Sequence, residues 1–534
     1  MRIPATDKRE AFRDEAHLNF MAGPSYDIKD PIHRLRVAAA SCFFGEPQYY
    51  HRDKDDTRKV RHNPPSRLGS RYVEYLRTTL DAIDPQEWRG LSPTEMMERA
   101  IDAALDHNPE ATLQLAVELR QQDNIRTTPQ VILVRACHHP KVKGTGLPSR
   151  FAGKIIQRAD EPSVCLAYHN WRFTKQPIPN SLKKALARRL REFDEYALGK
   201  YRREIGGVKL VDVINLVRPK ETSAIKALIH DKIRQTDKTW EAVISARGSS
   251  QESWAAAIEI MGHMALLRNL RNFTEKGVDP NLFLPKLVKT AKNGRQLPFR
   301  YYSAYKVLKG ASPKILDAVE ECLVISMNGL PQFPGRVMSL CDNSGSATGS
   351  TTSSMGTMAI NQIANLSAVI TGHCSEEGFV GVFGDRLATF PVQKRSSVFD
   401  GVQKADQLGT GIGPGTENGI WLFWDKAIKN KEHWDTVFIY SDQQAGHGGL
   451  YGTNHQAYAN FAWPASNRYI DVPALIKEYR KKVNPNVVVF CVQVAGYQDT
   501  IIPENYKGTY ILGGWGDGLL KYAAKMLSLN SPSQ

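Results

Sequence analysis

At 534 residues the chain has room for roughly two to four domains, each with a core of its own. Hydrophobic residues make up 42% and charged residues 23%, which excludes a disordered or fibrous chain, and no apolar run approaches the roughly 18 residues of a membrane span. The net charge of +15 is one-sided: residues 1–330 carry 54 basic and 39 acidic side chains, residues 331–534 carry 16 of each.

The N-terminal Met1-Arg2-Ile3-Pro4 runs into charged residues with no apolar h-region, so secretion is not expected. The seven cysteines (Cys42, Cys137, Cys165, Cys322, Cys341, Cys374, Cys491) are widely spaced and include no C-x-x-C pair. That spacing speaks against a disulfide framework or a zinc finger and for a reducing cytoplasm.

Up to about residue 330 the pattern is helical. Ser92-Pro93-Thr94-Glu95 reads as a capping box with proline at the first helical position. After it, Met96, Met97, Ala100, Ile101, Ala104 and Leu105 form one apolar stripe at three- and four-residue spacing. Further stripes follow at 113–119, 182–193, 208–217, 254–264 and 265–270, and Ser312-Pro313 opens a last helix towards Ile325. Many short helices separated by short breaks predict stacked helix pairs, an α-solenoid without a crisp repeat.

Residues 141–220 alone hold 18 basic and 7 acidic side chains. Such a field attracts polyanions by counterion release, and nucleic acid is the usual partner. Lys141, Lys143, Arg150, Lys200, Arg202, Arg203, Lys209 and Arg218 are the candidate RNA contacts; four of them surround Gly206-Gly207, a turn suited to face phosphate. Trp171 and Tyr201 could stack bases but are more simply core, and His138-His139 reads as a helix-end pair.

From Pro334 the rhythm changes. Apolar runs at 337–341, 378–383, 436–440 and 487–494 alternate with helical patterns near 356–370, 420–429, 472–482 and 518–527. This predicts a doubly wound α/β sheet, mostly parallel, whose ligand lies beyond the carboxyl ends of the strands. The first strand ends in Asp342-Asn343-Ser344-Gly345-Ser346, a D-x-S-x-S loop of hard oxygen donors. A flexible Ser/Gly linker would also produce such a string, but not one placed after an apolar strand with Asp442 ending another. Asp342, Ser344, Ser346, Thr416 and Asp442 would offer five oxygens to Mg²⁺ or Mn²⁺, with a position left for an outside ligand. Asp385 follows another strand and is not counted among the ligands.

Those five residues resemble the metal-ion-dependent adhesion site of von Willebrand factor A domains. The helical part resembles the TROVE domain of the Ro ribonucleoprotein family in Cys42-Phe43-Phe44-Gly45, Tyr49-Tyr50, Lys200-Tyr201-Arg202 and Leu266-Leu267-Arg268-Asn269-Leu270, with Ile476-Lys477-Glu478-Tyr479-Arg480-Lys481-Lys482 near the end. The order of the two parts points to a bacterial Ro protein. The resemblance implies a multidomain architecture: residues 1–330 as a ring of HEAT-like helical repeats, residues 331–534 as the A domain. It further implies a monomeric scaffold for RNA quality control, with Y RNA on the outer basic surface and single-stranded 3′ ends of misfolded RNA in the hole. An exoribonuclease, polynucleotide phosphorylase, is the implied protein partner. Animal members carry a histidine where this chain has Leu216-Val217-Arg218-Pro219, so the details of RNA contact differ here. Residues 443–470, with Gly446-His447-Gly448-Gly449, look like an insertion beside the metal loop. The competing reading is a metal-dependent nuclease or phosphotransferase built on Asp342 and Asp442. A two-metal site would need several clustered carboxylates, and an intracellular adhesion module remains a third reading.

Overall fold

The computed structural model describes residues 17–18, 24–27, 30–41, 93–123, 125–174, 176–201, 204–230, 233, 239–294, 296, 298–308, 310–349, 358–413, 416–442, 449–451, 462–463, 466–494, 504–506, 508–514 and 517–530. The chain divides into two compact units. One is almost wholly helical and spans 97–328; the other gathers the N-terminal segments with residues 329–534.

In the helical unit, most helices pack on the next or next-but-one in chain order. Pro109–Gln121 lies against Thr128–His138 and Leu147–Ile155, and Leu147–Ile155 against Asn180–Leu190, which in turn meets Leu210–Val217. Further on, His263–Glu275 packs on Pro280–Gly294, which packs on Pro313–Met327. This is the stacking of helix pairs that the periodicity predicts. The stripe Met96 to Leu105 is buried in full within the helix Pro93–His107; Ser92 lies outside the described residues. The apolar run 254–264 is not one helix. The helix Gln251–Ile258 ends and a new one starts at His263, with Gly262 in extended conformation at its N-cap. Met261 is buried in the connection, which is why the apolar spacing continues across the break.

The second unit is built on a nine-stranded sheet. In chain order its strands are β1 (His17–Leu18), β2 (Pro24–Asp27), β3 (Phe333–Asp342), β4 (Ser375–Phe383), β5 (Leu387–Val392) and β6 (Thr436–Ser441). Strands β7 (Gly449–Tyr451), β8 (Ala462–Trp463) and β9 (Ser466–Asp471) make a separate small sheet out of the 443–470 insertion. The large sheet then resumes with β10 (Val488–Gln493), β11 (Glu504–Tyr506) and β12 (Thr509–Gly513). The spatial order is β1-β2-β11-β12-β10-β6-β3-β4-β5. The five strands from β12 to β4 are parallel, and both margins are antiparallel.

Two features depart from the sequence reading. Strand β5 returns antiparallel beside β4, and residues near the N-terminus enter this unit: β2 pairs with β11, and the helix Pro31–Ser41 packs on Asp517–Asn530. Residues 1–330 are therefore not all helical-unit residues. The physical reason is burial, since Leu35, Val37, Ala38 and Ala39 are shielded from solvent and β2 covers an otherwise open edge.

The chain leaves β3 to one side for β4 and crosses to the other side for β6. The switch point thus falls between β3 and β6, where a doubly wound sheet opens a crevice at the carboxyl ends of its strands.

Candidate metal centre and nucleic-acid interface

Cys341 pairs in register with Tyr440, so β3 and β6 deliver Asp342 and Ser441-Asp442 side by side at that crevice. Asp342, Ser344, Ser441 and Asp442 are all buried. One Asp342 oxygen accepts the Ser344 backbone N–H at 2.8 Å; the other accepts the Ser441 hydroxyl at 2.6 Å. The Ser344 and Ser346 hydroxyls are 3.2 Å apart. Gln493, at the end of β10, donates to the Asp442 carbonyl at 3.0 Å.

Burial holds the Asp342 carboxyl well above the usual carboxylate range, and the neighbouring Asp442 carboxylate raises it further. Hydrogen bonds from Ser344 and Ser441 offset only part of this. Two buried carboxylates with three hydroxyls around them form a site whose charge calls for a cation, and whose oxygen donors suit Mg²⁺ or Mn²⁺. The site has two carboxylates, not three: no group of three or more His, Cys, Asp or Glu side chains positioned for a metal occurs among the described residues.

Four of the five residues singled out in the sequence thus come into view, and the structure brings Asp342, Ser344, Ser346 and Asp442 together. Thr416 opens the helix Thr416–Lys429, but its side chain and residues 414–415 lie outside the described ones. Asp385 abuts Gly413, at the base of the loop that leads to Thr416: a Cβ on Gly413 would fall 2.3 Å from the Asp385 Oδ2. Ser441 was not among the candidates, although a hydroxyl beside the aspartate that follows β6 was a readable signal.

The basic candidates spread over the helical unit. Lys141, Lys143, Arg150, Lys200, Lys209 and Arg218 are on its surface; Arg202 and Arg203 lie outside the described residues. Lys141 and Arg150 are partly neutralised, by Asp106 at 3.6 Å and Glu110 at 3.1 Å. Lys200 donates to the Tyr196 hydroxyl at 3.3 Å and sits over the rings of Tyr196 and Tyr201, while Arg158 lies 4.4 Å from the centre of the Tyr201 ring. Tyr201 is thus engaged by cations. Trp171 leans against Tyr168. Gly206 and Gly207 both take positive φ in the tight turn between Ile205 and Val208. Arg218 ends the helix Leu210–Val217 in the left-handed conformation usually left to glycine.

Sequence reasoning missed a more concentrated locus. The helix Asn180–Leu190 has no acidic residue, and its apolar Leu182, Ala185, Leu186 and Leu190 face inward. Helical spacing then puts Lys184, Arg188 and Arg191 on the opposite side, with the half-buried Lys183 at the margin. Arg188 pairs with Glu192, whereas Lys183, Lys184 and Arg191 make no ion pair with any described residue. Lys154 belongs to the packed helix Leu147–Ile155, and Lys209 and Arg218 cap the two ends of the packed helix Leu210–Val217. The signal was present in the sequence as a K-K-x-x-x-R-R-x-R string on a short amphipathic helix.

His138 and His139 end a helix, as read. His138 stacks on Phe173 at 3.8 Å and on His169 at 5.1 Å. Burial, then His169, lowers His138 to about 4, so His138 is neutral packing.

No helix among the described residues is long and apolar enough to cross a membrane. Residues 226–320 match the TROVE domain family, and the Leu266–Leu270 motif lies inside that span. Among solved structures, the chain is similar to the crystal structure of the Deinococcus radiodurans RO (RSR) protein. The identity is 15% and the TM-score 0.57, over 84% of this chain and 94% of that one. No curated protein matches the chain. At that identity the likeness speaks for the fold. The resemblance to the Ro family therefore rests on a TROVE match in the helical unit and on a fold shared with a bacterial Ro protein over most of the chain.

Proposed function

We propose that this chain is an RNA-binding scaffold of the Ro type. The observation that carries the reading is the cationic face of the helix Asn180–Leu190, where Lys183, Lys184 and Arg191 have no ion-pair partner among the described residues, set in a unit with a TROVE match. Guanidinium and ammonium groups without carboxylate partners attract phosphate with no ion pair to break first. By resemblance to the family, the helical repeats close into a ring that carries Y RNA outside. Single-stranded 3′ ends enter the hole, and a partner exoribonuclease performs the degradation. The scaffold acts as a monomer in the cytoplasm.

In the second unit, Asp342, Ser344, Ser346, Asp442 and Thr416 hold Mg²⁺ or Mn²⁺. The raised Asp342 supports this, because a cation removes the repulsion that otherwise favours its protonated form. A cation held there would supply an electrophilic centre for a carboxylate of a partner. The nuclease reading is weaker, for the site offers two carboxylates and no separate general base.

The test is crosslinking of RNA to the protein in its own cells, followed by sequencing of the RNA. Small structured RNAs and 3′-terminal single strands are expected. Recovery of no RNA above background refutes the scaffold reading.

A further inference from the structure

The residue between the two metal-loop donors is Asn343, and it is buried. Its Nδ2 donates to the Asn365 Oδ1 at 2.8 Å and to the Cys341 carbonyl at 3.3 Å. Its Oδ1 accepts from the Asn365 Nδ2 at 3.1 Å and from the Asn361 Nδ2 at 3.4 Å. Four hydrogen bonds satisfy the whole capacity of that amide. Asn365 is equally buried, on the helix Ile360–His373, and its Nδ2 also donates to the Asp406 Oδ1 at 2.7 Å.

Asp406 belongs to the helix Val398–Thr410, and the same helix presses Gly409 against the loop. A Cβ on Gly409 would lie 2.3 Å from the Asn343 Oδ1, so no side chain fits between them. The main chain is pinned as well. The Asn343 N–H donates to the Phe383 carbonyl at 2.9 Å, and the Thr348 hydroxyl donates to the Ser344 carbonyl at 2.8 Å.

A buried amide is expensive unless every bond is made, and an apolar residue would fill the same space without that demand. What the amide pair adds is direction. Cys341 and Asn343, the neighbours of Asp342 on both sides, are fixed by one network, and that fixes where the Asp342 carboxylate and the Ser344 hydroxyl point.

We propose that Asn343, Asn365 and Asp406, with Gly409 as the close contact, form a positioning network that sets the cation affinity of the Asp342 loop and couples it to the helix Val398–Thr410. The inference rests on the metal-binding reading above. Loss of an outer partner of this kind lowers metal affinity about 10- to 100-fold elsewhere. Coupling is reciprocal, so cation binding also tightens the helix.

The experiment is titration of Mn²⁺ into the full-length protein, with hydrogen exchange of residues 398–410 read with and without Mn²⁺. Asn365→Leu should weaken Mn²⁺ binding about 10- to 100-fold while the metal-free protein keeps its circular dichroism. Asp406→Ala, at a half-buried position that tolerates truncation, should weaken it less and abolish the Mn²⁺-dependent protection of the helix. Wild-type affinity in a folded Asn365→Leu, or in Asp406→Ala if the leucine variant does not fold, overturns the network. So does wild-type protection in Asp406→Ala. If the wild type itself takes up no Mn²⁺, the metal-binding reading falls and the network falls with it. If Asp342→Ala abolishes uptake while both network variants bind normally, only the network falls.

Discussion

Removing the three unpaired cations of one helix gives the most direct measure of the RNA reading. Lys183→Ala, Lys184→Ala and Arg191→Ala together delete groups on the outer side and margin of one helix that have no ion-pair partner among the described residues, so no described carboxylate loses a partner. Each phosphate contact releases close to one counterion, which at about 0.1 M salt corresponds to about 1.2 kcal/mol. Three contacts amount to about 3–4 kcal/mol, or roughly two to three orders of magnitude in affinity. The slope of log affinity against log salt should become shallower by about 2–3 units. Fluorescence anisotropy with a labelled small structured RNA, between about 0.05 and 0.2 M salt, reads both quantities. Arg150→Ala serves as the internal comparison, since its charge is already shared with Glu110 at 3.1 Å and its loss should matter less. An unchanged slope in the triple variant, or a larger effect from Arg150→Ala, refutes the assignment of this face.

Asp342→Ala should abolish Mn²⁺ uptake measured by calorimetry and leave RNA affinity within about twofold, because the two loci are on different units. Incubation of labelled RNA with the pure protein and Mg²⁺ should give no cleavage; cleavage that vanishes in Asp442→Ala would instead promote the nuclease. Gly378→Ala should destabilise the second unit by about 1–3 kcal/mol in thermal melts, since the new Cβ would lie 2.1 Å from the Gly372 carbonyl oxygen. His138, lowered to about 4 when folded, contributes stability that is complete above its unfolded value of about 6.5 and is lost as pH falls towards 4. His138→Phe keeps the ring stack and should make the acid side of the stability curve shallower by close to one proton.

How much of this was readable in advance depended on whether a signal was periodic. The stripe from Met96 to Leu105 and the runs ending at Asp342 and Tyr440 obey simple periods, and each is buried as the pattern requires. The margins of the sheet do not. Strand β5 is short and buries only Phe390, and β2 contributes four residues whose partner, β11, is remote in sequence. Nothing local announces such pairings. The break at Glu259–Gly262 was hidden because Met261 keeps the apolar rhythm while the backbone turns. At the metal loop, the outward donors were legible as D-x-S-x-S. Asn343 looked like loop filler, because an amide that satisfies itself against distant Asn365 has the same composition as one in water.

The two candidate loci differ in kind, and the difference follows from charge. The helical unit carries the net positive excess on exposed side chains, so its attraction acts at long range and fades as salt rises. Residues 331–534 are neutral overall, and the Asp342 loop works through buried groups at short range. Its cation affinity therefore depends little on salt and much on pH. Burial and Asp442 hold the Asp342 carboxyl above the ordinary carboxylate range, so a proton competes with the cation in mildly acidic solution. Mn²⁺ affinity should rise as pH goes from about 5 to 7.5 and then level off, while RNA affinity responds to salt over the same range without that profile. A calorimetric pH series at fixed ionic strength distinguishes the two. Mn²⁺ binding that is flat with pH would mean that Asp342 is already ionised in the metal-free protein, and that its repulsion with Asp442 is not what draws the cation in.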